Sequence, residues 1–99
     1  MSYINIWINR DEIKFKIYKF KNGEEKIIIQ DKIISPRSFD IGNRLNYLRK
    51  MLEILIKQYS IDKARLNIED NIKKDLINII KMEGMLEELL SNCGVEICK

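Results

Sequence analysis

From Tyr3 to Asn9 apolar and polar residues alternate, with Ile4, Ile6 and Ile8 on one side and Asn5, Trp7 and Asn9 on the other. That is the two-residue period of a strand. After the polar break Arg10-Asp11-Glu12, the residues Ile13, Phe15 and Ile17 alternate with Lys14, Lys16 and Tyr18 before Phe20 closes the run. The pattern predicts a second strand with one solvated face. Asn22-Gly23 follows, a dipeptide that readily takes the positive φ angles of a type I′ turn, whose twist matches the strands it joins. The isoleucine-rich stretch from Glu25 to Ile34 then returns as a third strand and stops at Ser35-Pro36, because proline has no donor for the ladder.

The period then changes. Leu45, Leu48, Leu52, Leu55 and Tyr59 recur at intervals of three and four, the stripe of an amphipathic helix, with Asp40 as its N-cap and an end near Tyr59-Ser60. Ala64 to Ile68 reads as a short fourth strand, with Leu66 and Ile68 facing one way and Arg65 and Asn67 the other. Asp70 or Asn71 can cap a second helix, whose apolar face comprises Ile72, Leu76, Ile79, Ile80, Leu86, Leu89 and Leu90. Gly94 suits the left-handed position after that helix, and Val95 to Cys98 adds a fifth strand. Strand-helix-strand links of this length run parallel with right-handed crossovers. The expected fold is therefore α/β, β-β-β-α-β-α-β, with a mixed five-stranded sheet in the order 3-2-1-4-5. Strand one lies at its centre, covered on both faces, and Trp7 is expected in the core. With 99 residues, the chain fits a single domain, 1–99.

Composition narrows the functions. Hydrophobic residues make up 45% and charged residues 33% of the chain, and the net charge of +3 is spread over nearly every segment. No basic block marks an electrostatic footprint, which leaves room for weak affinity toward polyanions. No segment approaches the ~18 apolar residues of a membrane span, and the opening Met-Ser-Tyr-Ile-Asn has no secretory pattern. A cytoplasmic location with no membrane partner is expected. The chain has two cysteines, Cys93 and Cys98, and no histidine, so a zinc site, a Cys-His pair and histidine acid-base chemistry are not offered. The cysteines read as reduced thiols with packing roles.

Two stretches carry a resemblance: Ile6-Trp7-Ile8-Asn9, and Leu66 to Ile97, with Leu66-Asn67-Ile68-Glu69-Asp70 followed by Lys81-Met82-Glu83-Gly84-Met85 through Gly94-Val95-Glu96-Ile97. With the expected topology, they make the chain similar to the Holliday-junction-resolvase branch of the ribonuclease H-like superfamily. The resemblance implies a metal-binding acid at the end of strand one, where Asn9 stands, and a metal-ligating glutamate at the end of strand four, where Glu69 stands beside Asp70. It also implies a helix after strand five carrying the last acidic ligands, whereas this sequence ends at Lys99. A Mg²⁺ or Mn²⁺ site needs several hard oxygen ligands in defined geometry. Asn9 offers only a neutral one, so the acidic site is expected to be incomplete, with Glu69 and Asp70 as its candidate metal ligands. Local readings compete: Glu69 precedes a helix N-terminus, whose dipole favours a carboxylate, and Asn9 sits in a turn, where Asx side chains satisfy amides.

The expectation is a non-catalytic ribonuclease H-like binding or interaction module without a cofactor, with nucleic acid as a candidate partner. Its alternatives are a divalent-metal-dependent nuclease acting on branched or hybrid nucleic acid, and a structural homo-oligomer with no nucleic-acid role. Asn5, Trp7, Asn9, Arg65 and Asn67 form a candidate binding patch across strands one and four. Buried without partners, such polar groups cost about 1–3 kcal/mol each. The final helix that the resemblance implies would help cover the sheet; without it the Trp7-containing polar patch is expected to be exposed and to be covered by a second copy, giving a homodimer. Lys14, Lys16, Lys19 and Lys21 beside Tyr18 read either as a phosphate-tracking stripe or as a solvated strand face.

Overall fold

The computed structural model describes residues 1–9, 12–34, 40–68 and 76–98. Seven elements follow one another: β1 (Ser2–Ile8), β2 (Glu12–Lys21), β3 (Glu24–Ile34), α1 (Ile41–Gln58), β4 (Ile61–Ile68), α2 (Leu76–Asn92) and β5 (Glu96–Cys98). The five strands form one mixed sheet in the order β3-β2-β1-β4-β5. β1 runs antiparallel to β2 and parallel to β4, and β5 joins the far edge parallel to β4. Element order and sheet order are those the sequence predicts.

The junctions follow from local chemistry. Asn22 and Gly23 take φ angles of 54° and 79°, the pair of positive values that lets β2 return directly into β3. At the start of α1, the Asn43 N–H donates to Asp40 Oδ1 at 2.8 Å, which satisfies an amide the helix cannot. At the end of α2, Gly94 adopts a φ of 74°. There the Val95 N–H donates to the Leu90 carbonyl at 2.8 Å and the Gly94 N–H to the Ser91 carbonyl at 3.1 Å. That is the six-to-one and five-to-two pattern of a Schellman cap, and buried Val95 and Leu90 provide its apolar contact.

One strand is longer than its alternation suggests. β4 begins at Ile61, three residues before Ala64, because Ser60 with a φ of 50° turns the chain straight from α1 into the sheet. Ile61 is buried there.

The core lies on one face of the sheet. Ile4, Ile6 and Ile8 of β1 and Ile13 and Ile17 of β2 are fully buried, with Phe15 beside them. They share one cluster with Leu48, Leu52 and Ile56 of α1 and with Ile79, Met82, Leu86, Leu89 and Leu90 of α2. Each such side chain contributes about 1.5–3 kcal/mol by leaving water. The expectation that β1 is covered on both faces is corrected here. Its alternate residues Tyr3, Asn5 and Trp7 are only half-buried, and both helices contribute to the single cluster on the isoleucine side. Trp7 is thus half-buried on the face of the candidate patch rather than in the core. Ile80 also departs from the expected stripe: it is 57% exposed, because a step of one residue turns about a quarter of the way round a helix from buried Ile79.

Candidate functional site

The second face of the sheet is assembled by register. On it Tyr3 lies opposite Tyr18, Asn5 opposite Lys16 and Trp7 opposite Lys14 across the β1–β2 ladder. On the other side of β1, Tyr3 lies beside Lys63, Asn5 beside Arg65 and Trp7 beside Asn67. Directly paired residues share a face, so β2, β1 and β4 together present an open surface of rings, amides and cations. The lysines of β2 divide between the faces. Lys14 and Lys16 belong to this surface, whereas Lys19, opposite Ser2, and Lys21 fall on the helix side by strand alternation. The four do not form one stripe.

Two features shape the surface. Tyr3 and Tyr18 stack at 5.3 Å between ring centroids with planes 13° apart, and Phe20 meets both edge-on at 5.5 and 5.8 Å. The Lys16 ammonium lies 5.0 Å from the Tyr18 centroid, a cation–π distance. A concavity of about 340 Å³ opens beside these rings, lined also by Asn5, Lys63, Arg65 and Cys98. A second, of about 420 Å³, is lined by Trp7, Lys14, Phe15, Gln30, Asp31 and Lys32 toward β3. Tyr3 and Trp7 stand four residues apart on β1, about 13 Å along the strand.

The charges on this face are partly balanced. Glu12 pairs with Lys14 at 3.9 Å and Lys32 at 3.8 Å, Glu25 with Lys16 at 3.3 Å, and Glu96 with Lys63 at 3.9 Å. Exposed pairs of this kind are worth little and exchange readily. Among the described residues that register places on this face, the cations Lys14, Lys16, Lys32, Lys63 and Arg65 outnumber the carboxylates Glu12, Glu25 and Glu96.

The sequence-predicted patch divides. Asn5, Trp7, Arg65 and Asn67 do come together, with Arg65 exposed and the others half-buried. The buried-polar cost expected of them does not arise: the Asn67 Nδ2 amide donates to the Ile6 carbonyl at 3.2 Å, and among the described residues no buried side-chain nitrogen or oxygen lacks a partner. Asn9 lies at the end of β1, where its N–H donates to the Glu12 carbonyl at 3.1 Å and closes the β1–β2 connection. Glu69 and Asp70, the candidate metal ligands, lie outside the described residues. Among the described residues no group of three or more His, Cys, Asp or Glu could hold a metal ion.

Sequence reasoning missed the Tyr3–Tyr18–Phe20 cluster. Its signal was arithmetic: a short connection that pairs Ile8 with Ile13 also pairs Tyr3 with Tyr18. Cys93 and Cys98 are free and half-buried, and Cys93 packs against the core. Among the described residues no helix is long and apolar enough to cross a membrane.

No family model matches the sequence, and no curated protein matches it. Solved structures do. Thermus thermophilus RuvC bound to a Holliday junction substrate superposes with a TM-score of 0.85 at 6% identity, over 98% of this chain and 63% of that one. The fold is ribonuclease H-like. A second Thermus thermophilus RuvC structure gives a TM-score of 0.81 at 7% identity, over 98% of this chain and 61% of that one. This chain thus spans less than two thirds of the RuvC structures it resembles. The Aquifex aeolicus PPX-GPPA enzyme also shares the architecture, with a TM-score of 0.60 at 17% identity over 98% of this chain and 34% of that one. Proteins with differently named activities share this scaffold, so function has to be argued from the site.

Proposed function

We propose that this chain is a non-catalytic ribonuclease H-like module that binds unpaired segments of nucleic acid on the open face of its sheet. The observation that carries the reading is the Tyr3–Tyr18–Phe20 cluster beside Lys16, Lys63 and Arg65 on a face left uncovered among the described residues. Bases stack on aromatic rings whatever their sequence, at about 1–3 kcal/mol each, while neighbouring cations follow the phosphates. Phe20, 56% exposed, offers an outer ring, and Trp7 lies half-exposed further along β1 with Lys14 and Lys32 beside it. The two platforms suit consecutive stretches of one strand. A duplex buries its base faces and would meet only the cations.

Two further points support the reading. The superposed RuvC structure is that of a complex with a DNA junction. Asn9, a neutral amide in a turn, replaces the carboxylate that the resolvase resemblance implies at the end of β1, so the reading assigns no hydrolytic step to this chain.

The test is fluorescence anisotropy with a labelled ~12-nucleotide thymidine oligomer, beside a four-way DNA junction and an RNA–DNA hybrid. Binding of the oligomer on the order of 10 µM at ~100 mM salt is expected, weakening with a log–log salt slope of about −2 as phosphate contacts release counterions. The nucleic acid is expected to remain intact with Mn²⁺ as with chelator. Cleavage that requires Mn²⁺ removes the non-catalytic half of the reading, and absence of binding to all three removes the other half.

A further inference from the structure

β3 is an edge strand and the longest in the sheet, with 11 residues. Its outer side carries a row of backbone groups that another strand could pair, a configuration natural proteins usually shorten, charge or cover. Here it is long and apolar at its middle: Ile27 is 53% and Ile28 42% exposed. Both ends carry charges, Glu24-Glu25-Lys26 before the isoleucines and Asp31-Lys32 after them.

We propose that β3 is a self-pairing edge, lying antiparallel to the β3 of a second copy with Lys26 opposite Asp31 and Glu25 opposite Lys32. In a two-fold interface every such contact occurs twice, so the seam has four unlike-charge pairs flanking a centre in which Ile28 lies opposite Ile29 and Ile27 opposite Gln30.

The register is tested by the faces of the sheet. Residues paired across a two-fold axis normal to the sheet must point to the same side, and in an unbroken strand Lys26 and Asp31 would point to opposite sides. β3 is not unbroken. Its register against β2 shifts between Ile17, opposite Ile29, and Tyr18, opposite Ile27, so Ile28 is the extra residue of a bulge and alternation resets there. Beyond the bulge Asp31 lies opposite buried Phe15 and Lys32 opposite Lys14, while before it Lys26 lies opposite Lys19 and Glu25 opposite Phe20. Lys26 and Asp31 therefore share the helix side, and Glu25 and Lys32 share the open side. The bulge that twists this edge also brings its charges into match.

Sliding the copies by two residues destroys the match. One direction sets Glu24 against Asp31; the other sets Lys26 against Ile33 and Lys32 against Ile27. Charge thus selects one register. The backbone agrees: the Lys32 N–H donates to Asp31 Oδ1 at 2.8 Å, a side chain of its own strand. Pairing transfers that donor to the carbonyl of Glu25 in the second copy and leaves the Asp31 carboxylate to Lys26.

The seam does not use Trp7 or the Tyr3 cluster, and the two-fold axis places both copies' open faces on the same side of a continuous sheet. Lys32 is shared with the surface beside Trp7, so the test of the seam is made without oligonucleotide and at Lys26 and Asp31, which lie on the helix side. Sedimentation of the full chain between ~10 and ~300 µM, without oligonucleotide, is expected to show a monomer–dimer equilibrium. Lys26→Glu and Asp31→Lys each set like charges opposite one another twice and are expected to weaken association about 10-fold or more. An equimolar mixture of the two variants restores unlike pairs at every position and is expected to regain the dimer, as is the double variant. Both sites are exposed, and circular dichroism verifies folding of each variant. A monomer at every concentration overturns the proposal and leaves the edge to a strand of a different chain. Single variants that associate like the parent, or a mixture that fails to regain the dimer, overturn it equally.

Discussion

The two faces of the central strand differ by one residue in position and by nearly everything else. Ile4, Ile6 and Ile8 are fully buried under two helices, whereas Asn5 and Trp7 between them look onto an open surface with Tyr3, Lys16 and Arg65. The first face is redundant in chemistry: branched aliphatic side chains that give the fold its free energy and exclude water. The second is varied, with stacked rings, the Asn67 amide held by the Ile6 carbonyl, and cations loosely held by glutamates. A sheet that needed only to be stable could leave that face uniformly charged. A clustered aromatic surface beside surplus positive charge has a recognition chemistry the isoleucine face lacks.

The sharpest way to break this comparison is to cross it with substitutions along β1. Ile6→Ala is expected to cost about 2–5 kcal/mol in urea unfolding, because it leaves a cavity beneath α2 and α1, while affinity for an oligonucleotide stays unchanged in the folded fraction. Trp7→Ala, one position away, is expected to cost only about 1 kcal/mol. A Trp7→Ala loss as large as that of Ile6→Ala would mean that the second face is a core too.

Binding should show the reverse preference. Tyr18→Ala removes the ring that stacks on Tyr3 and sits under Lys16, and is expected to weaken a thymidine oligomer about 5-fold or more in an anisotropy titration. Arg65→Ala is expected to flatten the salt slope by about 0.7 and to weaken all single strands alike. If Arg65→Ala altered sequence preference without changing the slope, Arg65 would be reading bases rather than phosphates.

The smallest effect belongs to a pair on neither face. On α1 the Lys57 ammonium, 2.9 Å from Glu53, holds the Glu53 carboxyl below the usual range by its hydrogen bond and charge, and the same contacts raise Lys57. A carboxylate with a lowered folded-state value adds stability above its unfolded value and loses it as pH falls through the folded one. The melting difference between the parent and Glu53→Gln is thus expected to be small near neutral pH and to vanish in acid. Thermal melts across that range check the sign.

Much of the fold could be read from particular residues. The alternation of β1 and β2, the Asn22-Gly23 turn, the Asp40 cap and Gly94 each act over a few neighbours, and local chemistry of that kind is visible in a chain. What was hidden depended on the third dimension. Periodicity marks Trp7 as lying opposite the isoleucines but does not say whether another layer covers it, and the apolar stripe of α2 does not show that Ile80 turns outward. The Tyr3–Tyr18–Phe20 cluster required the register between strands, and the bulge at Ile28 has no signature in a run of three isoleucines. The resolvase resemblance anticipated the architecture correctly, while the carboxylates it would need, Glu69 and Asp70, lie outside the described residues.

The most direct test of the open-face account is an NMR titration with a thymidine oligomer at ~100 mM salt, following side chains rather than backbone. Saturable shifts in the Trp7 indole, the Tyr3, Tyr18 and Phe20 rings and the Arg65 guanidinium, with the methyls of Ile4, Ile6 and Ile8 nearly still, are the predicted result. Shifts confined to the outward residues of α1 and α2, or none at saturating oligomer, would contradict it.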